Sequence, residues 1–188
     1  MKRAILILCI LWLQCVEKAN AQNMYVASNC LDYLYLATLN AEFGINVSSN
    51  RSVYINGKYN PFSYDWGERT IQHKQASVAI GSKYWFWYVN SGWFLNSNIR
   101  YSRYNFGGII DKYGYQGNSY SWGVGAGYAL ILSKKLNLDF GLGLSVGYTN
   151  YSKYMCPTCG KFIEKRKKIY VAPSDLMVQL SVMLWEIM

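Results

Sequence analysis

Leu136-Asn137-Leu138-Asp139-Phe140-Gly141-Leu142-Gly143-Leu144-Ser145-Val146-Gly147-Tyr148-Thr149 decides the fold, because an apolar side chain holds every even position and a polar or tiny one every odd position. Successive side chains of a β-strand point to opposite faces, so the segment has one wholly apolar face and one of Asn, Asp, Gly, Ser and Thr. An unbroken alternation of this length exceeds the usual strand of about five or six residues in soluble sheets. It matches a strand tilted across a bilayer, with lipid on one side and a crowded interior on the other.

The same alternation recurs on either side of that stretch. Leu176, Val178, Leu180, Val182 and Leu184 mark one outward face, and Trp122, Val124, Ala126 and Tyr128 another. Further outward sets are Phe43, Ile45 and Val47; Val53, Ile55, Gly57 and Tyr59; Ala76, Val78, Ile80, Ser82 and Tyr84; and Trp93, Leu95, Ser97, Ile99 and Tyr101. Short links at Ser48 to Arg51, Tyr88 to Gly92 and Ser133 to Lys135 alternate with long ones at Pro61 to Thr70, Phe106 to Asn118 and Ser152 to Lys167. Short turns on one rim and long loops on the other characterise outer-membrane barrels, the short ones being periplasmic. An even count then requires one rising strand before Ala41, for which Asn29 to Ala37 is the candidate, with a turn at Thr38 to Asn40. The fold expected is all-β, a closed antiparallel up-and-down transmembrane β-barrel of eight strands.

A barrel of eight strands is filled by side chains rather than open. Parity puts Asp32, Glu42, Lys58, Lys83, Arg100 and Asp139 on the inward face. Acids and bases in equal number can neutralise one another in a sealed interior, unless some of them sit on the rims. Aromatic residues gather where lipid meets water, and Tyr84 to Tyr88 with Trp93 flank one short turn. Tyr101, Tyr104, Tyr148 and Tyr151 lie near the far ends of their strands. A soluble lipocalin-like barrel also alternates, but it needs a charged exterior that these strands lack.

The N-terminus agrees with export. Lys2 and Arg3 precede an apolar run from Ala4 to Leu13, and Ala19-Asn20-Ala21 supplies a small-x-small cleavage site, the layout of a signal peptide. An apolar run this short falls well below the roughly twenty residues that a spanning helix needs. The expected organisation is a signal peptide over 1–21 and one outer-membrane barrel domain over 22–188. The composition of 17% aromatic and 15% charged residues, with 18 Tyr and 16 Gly, is unusual for a cytosolic domain. A formal charge of +9 would raise nucleic acid as a partner, but an exported chain does not meet it. Outer-membrane lipids and lipopolysaccharide are the partners expected instead, and no cofactor or metal is.

Catalysis in an outer-membrane barrel needs a histidine or paired acids near the outer rim. His73 is the only histidine, with Gln75 rather than a nucleophile two places on, so it reads as a rim residue without catalytic partners. Cys156-Pro157-Thr158-Cys159 has a spacing used for zinc and for thiol exchange. Zinc wants four ligands and no second pair is near; thiol exchange wants a helix N-terminus. A local disulfide between Cys156 and Cys159 is the plainer reading. Lys161, Lys165, Arg166, Lys167 and Lys168 follow in the same expected loop, either as a solvated surface or as a contact for phosphates or an acidic partner.

In their order along the chain, Asn40-Ala41-Glu42-Phe43-Gly44, Lys83-Tyr84-Trp85-Phe86, Leu132-Ser133-Lys134-Lys135, Cys156-Pro157-Thr158-Cys159-Gly160 and Tyr170 through Pro173 resemble one known family. It is a family of small outer-membrane β-barrels from Bacteroidota, catalogued as a domain of unknown function and often encoded beside fimbrial genes. The resemblance spans nearly all of the mature chain and implies a role in surface-fibre assembly. The tail Leu184-Trp185-Glu186-Ile187-Met188 departs from the terminal aromatic of the usual barrel-assembly signal. Together these readings predict a non-enzymatic outer-membrane barrel that assists surface or fimbrial assembly or binds surface ligands through long loops, with fimbrial or other surface proteins as partners. A purely structural barrel and a lipid-modifying enzyme are the alternatives.

Overall fold

A computed structural model describes residues 24–66, 69–108, 112–156 and 160–185. The strands are β1 (Met24–Asn29), β2 (Leu39–Ser48), β3 (Arg51–Asn60), β4 (Ser63–Trp66), β5 (Arg69–Trp85), β6 (Gly92–Gly107), β7 (Gly114–Ser133), β8 (Leu136–Tyr154) and β9 (Phe162–Trp185), with one short helix, α1 (Cys30–Leu34). Every neighbouring pair is antiparallel. β1 joins β9 and β3 joins β5, so eight strands close into a ring, while β4 pairs only with β5 and continues the place of β3 at one rim. Among the described residues no helix is long and apolar enough to cross a membrane.

Register makes the closure quantitative. Starting at Val182 of β9, successive partners are Val26, Phe43, Ile55, Ile80, Ile99, Trp122, Val146 and then Val171, again on β9. One circuit thus returns to the same strand eleven residues away. A stagger of this size in a small barrel goes with strands tilted by about 40°. Every member of that circuit is apolar, because a closed sheet repeats its facing around the wall. Leu142 is 60% exposed and Ile99 69% exposed, so the apolar faces read from the sequence point outward.

Three expectations are corrected. The first strand is Met24–Asn29, not Asn29 to Ala37, and the segment after it is helical. Asn29 caps α1, its side chain accepting from the Leu31 N–H, and Leu36 and Ala37 then take positive φ, the geometry of a turn rather than a strand, so the turn falls before Thr38 and β2 already starts at Leu39. Asp32 accordingly sits on α1 above the rim rather than on an inward strand face. Second, the long links are largely strand: β6 reaches Gly107, β7 starts at Gly114, β8 reaches Tyr154 and β9 starts at Phe162. Backbone groups leaving the apolar band stay paired with their neighbours instead of relying on water. Third, Lys165, Arg166, Lys167 and Lys168 therefore lie on β9, not in a loop, while Lys161 precedes it.

β9 also carries a bulge. Gly141 faces Met177 but Gly143 faces Ser174, so one strand spends an extra residue there. Asp175 takes a φ of 51°, a conformation that Asp tolerates better than branched residues. Beyond the bulge the outward parity switches from Leu176, Val178 and Leu180 to Ile169, Val171 and Pro173.

Candidate functional site

Inside the ring, polar side chains meet in layers. Glu42 from β2 lies at the centre of one such layer. Its Oε1 accepts from Lys83 Nζ at 2.8 Å, Gln179 Nε2 at 3.0 Å and the Tyr25 hydroxyl at 3.1 Å. The Lys83 ammonium also stands 5.2 to 5.4 Å from the ring centres of Tyr25, Tyr54 and Phe94. An ion pair so deeply enclosed is tolerable only when hydrogen bonds and ring faces replace the lost water. Gly44 makes this possible, since a Cβ there would collide with the Tyr25 ring. Asp139, one layer neighbour, accepts from Ser181 Oγ at 2.7 Å. Trp85 and Phe94 close the floor, the Trp85 indole donating to Ser52 Oγ at 3.0 Å.

The next layer belongs to the bulge. Asp175 accepts from Asn98 Nδ2 at 2.9 Å and pairs with Arg100 at 3.3 Å. Sequence parity places Arg100 inward correctly; its partner Asp175 shares the inward phase of Met177 and Gln179 but stands one residue before the alternation read from Leu176 onward. At the rim, Lys58 reaches Asp32 on α1 at 2.6 Å. Of the six charges expected inside, the structure thus joins Glu42 to Lys83 and Asp32 to Lys58, gives Arg100 to Asp175, and leaves Asp139 with a hydroxyl donor.

Other candidates are placed as follows. His73 is buried between Tyr35 and Phe106, with ring centres at 4.9 and 5.2 Å, and its nitrogens have no hydrogen-bond partner among the described residues. Cys156 is disulfide-bonded, and Cys159 lies outside the described residues. Cys30 is free and exposed on α1. The signal segment 1–21 also lies outside them. In the basic run Arg166 pairs with Glu164 at 2.8 Å, and Lys165, Arg166, Lys167 and Lys168 are all exposed.

The outer wall is ordered in rows. Tyr101, Tyr120 and Tyr148 are direct cross-strand neighbours, flanked by Val78 and Ile169. Toward the opposite rim, Trp93, Tyr128 and Phe140 form a second aromatic row. Tyr104, expected among the lipid-facing aromatics, instead shares a 2.5 Å hydrogen bond with Thr149 on the inner face. One pleat above the upper tyrosines the row becomes Arg103, Asn118, Asn150 and Lys167, and the next Lys74, Asn105, Gln116, Ser152 and Lys165. The wall thus passes from apolar through tyrosine to cationic and amide side chains within a few residues.

Such a molecule is a small closed β-barrel, apolar outside and ion-paired within. The chain belongs to the family described as a protein of unknown function (DUF3575), whose profile matches residues 5–184. No curated protein and no solved structure matches it.

Proposed function

We propose that this chain is a non-enzymatic β-barrel of a bacterial outer membrane that works from its strand-extended rim, assisting assembly of surface structures or binding surface ligands. The observation that carries the reading is the outer wall: rows of apolar side chains exposed to the surroundings and bounded by aromatic rows on both sides. A contiguous apolar surface of this extent needs lipid or protein to cover it. The filled, ion-paired interior argues against a conduit, leaving the surface as the working part. Beyond the upper tyrosines the sheet continues, carrying Lys165, Arg166, Lys167 and Lys168 out of the apolar band on a stiff strand pair rather than on a mobile loop. Phosphates of lipopolysaccharide or an acidic surface protein suit that cluster. His73, stacked among aromatic rings, has none of the surroundings of a general base.

A deletion strain complemented with wild type, or with those four cations changed to Gln, tests the reading. Surface-fibre assembly and lipopolysaccharide binding should fall in the variant although the barrel still inserts. Equal rescue by both forms would favour a purely structural barrel.

A further inference from the structure

Gly57 is the odd residue of the lipid-facing wall. Most glycines here face inward and are small because a Cβ would strike a neighbour; at Gly57 a Cβ would meet nothing within 4 Å. Its φ is not positive either, so neither crowding nor backbone conformation calls for glycine. Register explains what its smallness does. Ala41 is its partner on β2, and Ala76 on β5 lies one row nearer the loop rim, so small side chains adjoin across β2, β3 and β5. Leu39, Tyr59 and Tyr101 rise around them, and together they bound an open groove of about 660 Å³.

The upper end of the groove is not apolar. Arg103, partner of Ala76 on β6, lines it, is exposed, and has no ion pair among the described residues. It stands one pleat above Tyr101, in the row where the wall turns cationic, with Lys74 as an exposed diagonal neighbour on β5. A groove that is apolar along its length and guanidinium-tipped at the water boundary has the form of an anionic amphiphile: hydrocarbon below, phosphate above.

We propose that this groove is a specific binding site for one phosphate-bearing lipid of the surrounding leaflet, an acyl chain lying over Ala41, Gly57 and Ala76 and the head-group phosphate held by Arg103. The inference rests on the outer-membrane reading. A chain lying in a rigid dent loses little further freedom when held, and a bidentate Arg–phosphate contact at the interface adds both strength and direction.

Native mass spectrometry of the full-length protein, extracted from membranes in mild detergent, tests it alongside Gly57→Phe and Arg103→Gln. Phe fills the groove from an outward position with open space around it, so folding is spared; Gln removes the charge at an exposed site. Wild type should retain a phosphate-bearing lipid through detergent exchange, undisplaced by excess inorganic phosphate. Retention should fall about tenfold or more in each variant, while both variants stay in the membrane fraction and remain heat-modifiable. Equal retention by all three folded proteins, or none in wild type, would overturn the groove alone. Absence of wild type from the membrane fraction would overturn the outer-membrane reading and the groove with it.

Discussion

Lys83 Nζ lies 2.8 Å from Glu42 Oε1 with the side chains only 1% and 6% exposed, an ion pair across the barrel interior that joins β5 to β2. Removing one partner leaves the other charge buried and without its counter-ion. Glu42→Gln should therefore destabilise the folded barrel by about 3 to 5 kcal/mol, whereas Glu42→Gln combined with Lys83→Met should recover much of the loss. Denaturant unfolding in detergent micelles, followed by tryptophan fluorescence, measures both. A double variant no better than the single one would mean that the pair does not act as a unit.

Asp175 supplies two things at once, a carboxylate for Arg100 and a residue that tolerates a φ of 51°. Asp175→Asn keeps the backbone preference and loses the charge; Asp175→Val loses both. Each should lower the temperature at which the unboiled form unfolds on a gel, with Asn costing about 1 to 3 kcal/mol and Val about 1 to 2 kcal/mol more. Equal behaviour of the two variants would show that the bulge conformation is not under strain from the side chain.

Facing along β8 is tested by neighbouring positions with opposite surroundings. Leu142 points outward, and Leu142→Arg should impair membrane assembly at a cost of about 2 to 4 kcal/mol. Ser145 points inward, donating to the Ala172 carbonyl at 3.3 Å, and Ser145→Ala should be mild. Yields of folded protein in the membrane fraction separate the two; matching yields would contradict the assigned faces.

How far the sequence alone carries the fold is visible in these same residues. Seven apolar positions from Leu136 to Tyr148 share one phase, and the structure keeps that phase as one outward face. β9 was harder because its phase changes: Ile169, Val171 and Pro173 occupy odd positions and Leu176, Val178 and Leu180 even ones. The change itself marks the bulge at Ser174, and extending the Leu176 phase back by one residue puts Asp175, the partner of Arg100, on the inner face. The segment after β1 misleads because Leu31, Tyr33 and Tyr35 alternate as a strand would, while the Asn29 cap and the turn at Leu36 and Ala37 decide for a helix. The groove was legible only in part. Gly57 and Ala76 stand in the outward sets, but their adjacency to Ala41 and Arg103 depends on register between strands, which no single strand records.

The bond at Cys156 predicts the behaviour of the tip between β8 and β9. If Cys156 is joined to Cys159, a membrane-impermeant maleimide should label neither residue on intact cells until a reductant is added, and Cys30 should account for any earlier labelling. Labelling of Cys156 before reduction would argue for a free thiol.

Closure into a barrel within an outer membrane is open to direct measurement. Cells expressing the full-length protein can be fractionated and the outer-membrane fraction run on a denaturing gel with and without boiling. The protein should be confined to that fraction, and its unboiled form should migrate differently from the boiled one, because a closed hydrogen-bonded ring resists detergent until it is heated. Recovery in the soluble periplasmic fraction, with one mobility under both conditions, would contradict closure in that membrane.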